Sequence, residues 1–176
     1  GLALWEIALE PGGAAAGVTA GWLVDLDLPA MARRPAAPAA RRQAAEFLES
    51  ETAADSDPAT QDLIADLARA VQADTDVARA LRGADEGPAN VVALCFPGID
   101  KVAHRFLRFA RPRDFGDVSE SEIERFGSVL ERYYVWLDGF VDRALKMRGA
   151  DGLLLVASAH GMEPPPMWRQ AAVSLL

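Results

Sequence analysis

Asn90-Val91-Val92-Ala93-Leu94-Cys95-Phe96-Pro97-Gly98-Ile99-Asp100-Lys101-Val102-Ala103-His104 is the stretch on which the fold reading turns. Its first half is a nearly continuous apolar run bounded by Gly87-Pro88 before and Pro97-Gly98 after, the pattern of a strand buried on both faces. Its second half opens a short helix over Lys101 to Ala110 that Arg111-Pro112 should break. Farther along, Leu153 to Ala157 is a second apolar run, followed by Ser158-Ala159-His160-Gly161. Between the two runs, Ser119-Glu120-Ser121-Glu122 has the form of a capping box. It starts what should be the longest helix, with Ile123, Phe126, Val129, Leu130, Tyr133, Leu137, Phe140, Val141 and Leu145 on one stripe. Strand, helices and strand in this order predict an α/β fold, a mostly parallel sheet flanked by helices. Residues 90–96 and 153–158 are its expected parallel strands, with residues 120–148 covering one face.

The earlier chain is less regular. Leu2, Trp5 and Leu9 have near-helical spacing before Pro11-Gly12-Gly13, and Ala14 to Val24 reads as a buried strand delivering Asp25 and Asp27. Residues 29–38 form a connecting loop of Pro, Ala and Arg, and helix resumes at about Ala39. Ser56 or Asp57 before Pro58 opens a further helix, with Leu63, Leu67, Ala70 and Val71 on its inner face. Asp74-Thr75-Asp76 reads as a second start, so residues 57–83 form one broken helix or two. Asp55, Asp57 and Asp62 are cap and dipole residues, and the acidity of the whole stretch is a solvated face.

Composition narrows the classes. The chain's 176 residues suit one domain, or a fragment of a larger one, and 51% hydrophobic against 25% charged residues predicts a packed core. Lys and Arg number 18 against 26 Asp and Glu, and a net charge of -8 argues against the broad attraction that nucleic acids or anionic membranes need. No apolar run approaches the length of a membrane span. The opening at Leu2-Ala3-Leu4-Trp5 reads as an element already under way. Cys95 is the single cysteine, and its apolar setting predicts a small buried hydrophobe, not a nucleophile.

The chain has two histidines, and each follows a predicted strand, where open parallel sheets place their ligand crevice. Asp100 and His104, four apart, face one point and offer one oxygen and one nitrogen donor. Taken alone, such a pair is more often a cap aspartate beside a partly exposed histidine. Asp25 and Asp27 offer carboxylates that are more simply a surface turn. Arg105, Arg108, Arg111 and Arg113 would attract a phosphate or form a solvated face, and Trp168 is more simply a packing anchor. Ser158 has no base at fixed spacing and no nucleophile-elbow sequence, and receives no role.

Taken together, Phe96 to His104 and Leu153 to Met162 resemble the metal-binding core of the alkaline phosphatase superfamily, in its type I phosphodiesterase/nucleotide pyrophosphatase group. There one strand ends in G-x-D-x-x-x-H and another in S-D-H-G-M. Tyr133-Tyr134 and Asp138 are similar to the group's linking helix. The resemblance covers about residues 89–163, and before that only Leu4-Trp5-Glu6-Ile7 and Gly21-Trp22 carry it. It implies an α/β, alkaline-phosphatase-like core, here partial, and hydrolysis of a phosphate ester small molecule with two divalent ions, zinc or manganese. Asp100 and His104 would bind the first ion and His160 the second. Ala159 stands where the group has an aspartate, and the group's nucleophile and remaining ligands have no counterpart here, so binding of the ions is expected to be weak or absent. The resemblance thus implies a fragment or degenerate form of such a hydrolase, or an inactive binding or scaffolding domain of the same fold. Because all three leave predicted strands on the side where parallel sheets place their ligands, Asp100, His104 and His160 are expected to converge on one crevice, with or without a bound ion.

Overall fold

The structure, a computed structural model, describes residues 35–48, 57–85, 92–148, 150 and 152–164. The readings for residues 2–10, for 14–24 with Asp25 and Asp27, for Asp55 and for Trp168 lie outside these, as does most of the loop at 29–38.

Helix α1 runs Pro38–Glu46, with Pro38 at its first position where no amide donor is needed. Helix α2, Pro58–Asp85, is the longest among the described residues. Asp57 starts it by accepting from the Thr60 amide at 3.1 Å and the Thr60 hydroxyl at 2.7 Å. Those hydrogen bonds hold the Asp57 carboxyl below the usual range. The helix passes through Asp74-Thr75-Asp76 without a break, because the aspartates find partners without ending it: Asp76 pairs with Arg79 and Gln72. Helix α3, Gly98–Ala110, stops at Arg111-Pro112; the single turn α4, Pro112–Phe115, follows and is closed by Gly116 at φ 73°. The capping box at Ser119 and Glu122 forms as expected. It starts α5, Glu120–Phe126, but the chain turns at Gly127-Ser128 before α6, Val129–Met147. The expected single helix is therefore two. Gly127 sets the break: a Cβ there would lie 2.6 Å from the Ile123 carbonyl oxygen.

The core lies where α2, α3 and α6 meet, with α1 packed on α2 and α5 on α3. Leu67, Ala70 and Val71 of α2 face Val102, Phe106 and Phe109 of α3 and Val129 and Tyr133 of α6. Aromatic rings fill the gaps. Phe106, Phe109 and Phe126 form one cluster with centroids 5.0–6.1 Å apart. Phe47, Tyr133, Trp136 and Phe140 form a second through tilted and edge-on contacts. Burying each such ring contributes roughly 2 kcal/mol or more. Of the expected stripe, Phe126, Val129, Tyr133 and Phe140 are buried, while Val141 and Leu145 face out.

The expected α/β class and its mostly parallel sheet do not form. Among the described residues there is no strand. Residues 92–97 and 152–158 are non-helical, but neither joins a ladder. An apolar run becomes a strand only when a neighbouring strand takes up its backbone groups, and periodicity alone does not supply that neighbour. Leu153, Leu155 and Val156 are 81%, 80% and 73% exposed, the reverse of a buried strand. Cys95, expected to be buried, is exposed as well. Phe96 is stacked on Phe140 at 5.6 Å.

At Gly98, α3 lies close against both α2 and α6. A Cβ on it would enter the contact distance of the Tyr133 hydroxyl and the Asp74 carboxylate, and would lie 2.7 Å from the Ala70 carbonyl oxygen. Gly98→Ala should therefore cost about 3 kcal/mol, the upper end for overpacking a rigid site, seen as a lower urea midpoint at unchanged slope.

Candidate functional site

Helix α3 has two unlike faces. Gly98, Val102, Ala103, Phe106 and Phe109 are turned into the core, and Asp100, Lys101, His104 and Arg105 are turned out. Asp100 and His104 thus stand together on the outer face, with His104 Nε2 3.5 Å from Asp100 Oδ1 and the side chains 67% and 49% exposed for His104 and Asp100 respectively. Two donors each about 2.1 Å from a tetrahedral ion are about 3.4 Å apart, so the pair as placed fits one edge of such an ion's shell. An exposed i,i+4 ion pair has the same geometry.

His160 is exposed in the turn after residues 152–158. Its Nδ1 lies 3.0 Å from the Gly161 carbonyl oxygen, which can only accept. In that hydrogen bond Nδ1 is the donor, and a bond of this kind orients a metal-binding imidazole. The Ser158 hydroxyl donates to the His160 carbonyl at 2.6 Å, so its proton is committed within the turn. Ala159 adds no donor. The structure thus brings Asp100 and His104 together. Among the described residues, no three or more His, Cys, Asp and Glu side chains are grouped to hold an ion.

The arginines are engaged elsewhere. Arg105 pairs with Asp66 at 2.9 Å, Arg108 with Asp117 at 3.2 Å and Arg111 with Asp114 at 2.6 Å. Carboxylates already neutralise three of the four, which answers for them in favour of a solvated face. The open groove between α1 and α6, lined by Glu46, Phe47, Val135 and Trp136 among others, contains none of Asp100, His104 or His160.

The residue missed by the sequence reading is Asp74. It is fully buried. Its Oδ1 accepts from the Gly98 amide at 2.7 Å and its Oδ2 from the Tyr133 hydroxyl at 2.8 Å. The first bond caps the start of α3 from another helix, where Pro97 at the cap position supplies no side-chain hydrogen bond. Burial pushes the Asp74 carboxyl up to about 6, against the two hydrogen bonds and the charge of Lys101, which favour the ionised form. The Tyr133 hydroxyl is pushed well above its ordinary value by burial and by the Asp74 carboxylate beside it. A signal for this was present: Leu67, Val71, Asp74 and Ala78 fall on one helical face, so the apolar period runs through Asp74.

Comparison with protein-family models, curated proteins and solved structures finds no match to this chain. No candidate membrane span occurs among the described helices.

The Asp74 carboxyl is held above its ordinary 3.8, at about 6. The protonated form is thus favoured by folding, and the stability it contributes is fully present below pH 3.8 and lost as pH rises through about 6. Relative to Asp74→Asn, which has no proton to lose, the wild-type chain should lose stability on the order of 2 kcal/mol across this window and none above it. Urea unfolding of both proteins at half-unit pH steps measures the difference; parallel curves would mean that Asp74 does not titrate in the fold.

Proposed function

We propose that this chain is a fragment or degenerate form of a metal-dependent phosphoric ester hydrolase of the phosphodiesterase/pyrophosphatase type, with Asp100 and His104 binding one divalent ion and His160 a second. The observation that carries the reading is the Asp100–His104 pair, whose donor separation of 3.5 Å suits a single ion and whose outer face is open to a ligand. The free Nε2 of His160, inferred from the Nδ1 hydrogen bond, is in keeping with the second role. The Gly98-Ile99-Asp100-Lys101-Val102-Ala103-His104 and Ser158-Ala159-His160-Gly161-Met162 motifs supply the chemistry-level resemblance.

When bound, such an ion supplies Lewis-acid charge to a phosphoryl oxygen. The chain's own part is to hold one oxygen and one nitrogen donor on adjacent turns of a packed helix. Among the described residues, the hydroxyl of Ser158, two positions before His160, donates to a backbone carbonyl. A second reading, an inactive binding or scaffolding form, is favoured by Ala159, whose methyl leaves His160 without the neighbouring carboxylate that the resembling motif carries.

Titration calorimetry with zinc or manganese, and hydrolysis of an activated phosphodiester, test both readings. The wild-type chain should bind weakly and turn over no substrate, His104→Ala should abolish that binding, and Ala159→Asp should raise affinity by about tenfold without restoring turnover. Equal binding by wild type and His104→Ala removes the proposal. Metal-dependent turnover by the unmodified chain, lost in His104→Ala, removes the inactive form and requires further ligands and a nucleophile within the chain.

A further inference from the structure

Asp74 has no exposed surface, yet its hydrogen-bond partners among the described residues are both uncharged: the Gly98 amide at 2.7 Å and the Tyr133 hydroxyl at 2.8 Å. A carboxyl so placed favours its neutral form, because burial penalises the charge and neither partner carries an opposite one. The neutral form also keeps the junction whole. Its Oδ1 still accepts from Gly98, and the Tyr133 hydroxyl can accept from the protonated oxygen in place of donating to it. The ionised form keeps both bonds but holds a charge away from water. We propose that Asp74 makes this junction a proton-operated latch: protonated, it keeps the first turn of α3 seated on α2 and α6, and ionised, it favours an open form in which that turn and residues 92–97 part from them and water reaches the carboxylate.

The start of α3 is where the junction can part. Asp74 lies inside α2 between the buried Val71 and Ala78, and Tyr133 is packed against Phe47 and Trp136. Gly98, by contrast, is the first residue of its helix, and the buried Val102, Phe106 and Phe109 begin a turn later. Before Gly98, residues 92–97 join neither a helix nor a ladder, with Val92 and Cys95 exposed. Releasing this end hydrates Asp74 while the contacts from Val102 onward stay in place, so it costs less than unfolding the whole chain. Lys101, exposed on α3, and Tyr133 of α6 are the charged and titratable groups that act on Asp74, and α1 supplies none among the described residues. Burial raises the Asp74 carboxyl from 3.8 to about 6, so the closed turn is most stable below pH 3.8, loses that advantage as pH rises to about 6, and changes no further above it.

The experiment is amide hydrogen exchange of the full chain by NMR across this pH range, corrected for the intrinsic pH dependence of exchange, with and without urea below the unfolding transition. Opening at the Gly98 and Val102 amides should rise about a hundredfold between about pH 4 and 7 and then level off, with little response to urea. The Leu137 amide in α6 should stay better protected at every pH and respond to urea as the whole fold does. Asp74→Asn has no proton to lose, and its Gly98 opening should stay within about threefold over the same range. Lys101→Met alters only an exposed side chain, and so reads the latch should Asp74→Asn not fold; by removing the cation that favours the ionised form, it should move the levelling-off to higher pH. Gly98 and Leu137 opening together with one urea dependence, or a Gly98 profile unchanged by both substitutions, overturns the proposal.

Discussion

A carboxylate with no exposed surface, Asp74, joins the three helices that make the core, accepting one hydrogen bond from the start of α3 and one from the second turn of α6. Burying such a group without partners would cost several kcal/mol, more than any single apolar contact around it returns. Both oxygens are therefore satisfied, and the satisfaction dictates neighbours. Residue 98 has to lack a Cβ, residue 133 has to carry a hydroxyl, and the helices have to approach until Gly98 meets the Ala70 backbone. The raised proton affinity of Asp74 shows the balance of forces: desolvation outweighs the hydrogen bonds and the nearby Lys101 charge, without cancelling them.

This contact and the apolar face of α3 agree in orientation. Once Gly98 is tied to Asp74, Val102 and Phe106 fall into the core and the remaining face is turned outward. Asp100 and His104 inherit their exposure from that rotation. In the phosphodiesterase-type motif that the segment resembles, the glycine two residues before the aspartate looks like a turn residue when read as sequence. In this chain it is a point of close approach, and its φ is not in the left-handed region.

Features encoded by local chemistry were legible. The Pro58 start with its Asp57 cap, the end of α3 at Arg111-Pro112 and the Ser119–Glu122 capping box all depend on residues a few positions apart. Features that depend on a distant partner were not. The runs at 91–96 and 153–157 have strand-like composition, yet a strand exists only through pairing, and none is present among the described residues. Asp74 was misread because an aspartate ahead of Thr75 and Asp76 has the form of a helix start; only its register with Leu67, Val71 and Ala78 marks it as inward. Asp100 and His104 were correctly placed four apart on one helical face, since helical spacing alone brings them together.

As placed, that pair has the geometry of an exposed i,i+4 ion pair. An exposed i,i+4 pair is worth only about 0.3–0.5 kcal/mol, so an ion that takes both side chains displaces little. What limits the ion is coordination number. Two donors cover half of a tetrahedral shell, and two solvent ligands in the remaining positions give a site far weaker than one with three protein ligands. On the proposed reading the deficit at the second position is larger, because His160 stands beside Ala159, which carries no donor. Arg105, Arg108 and Arg111 are held in comparably exposed pairs with Asp66, Asp117 and Asp114.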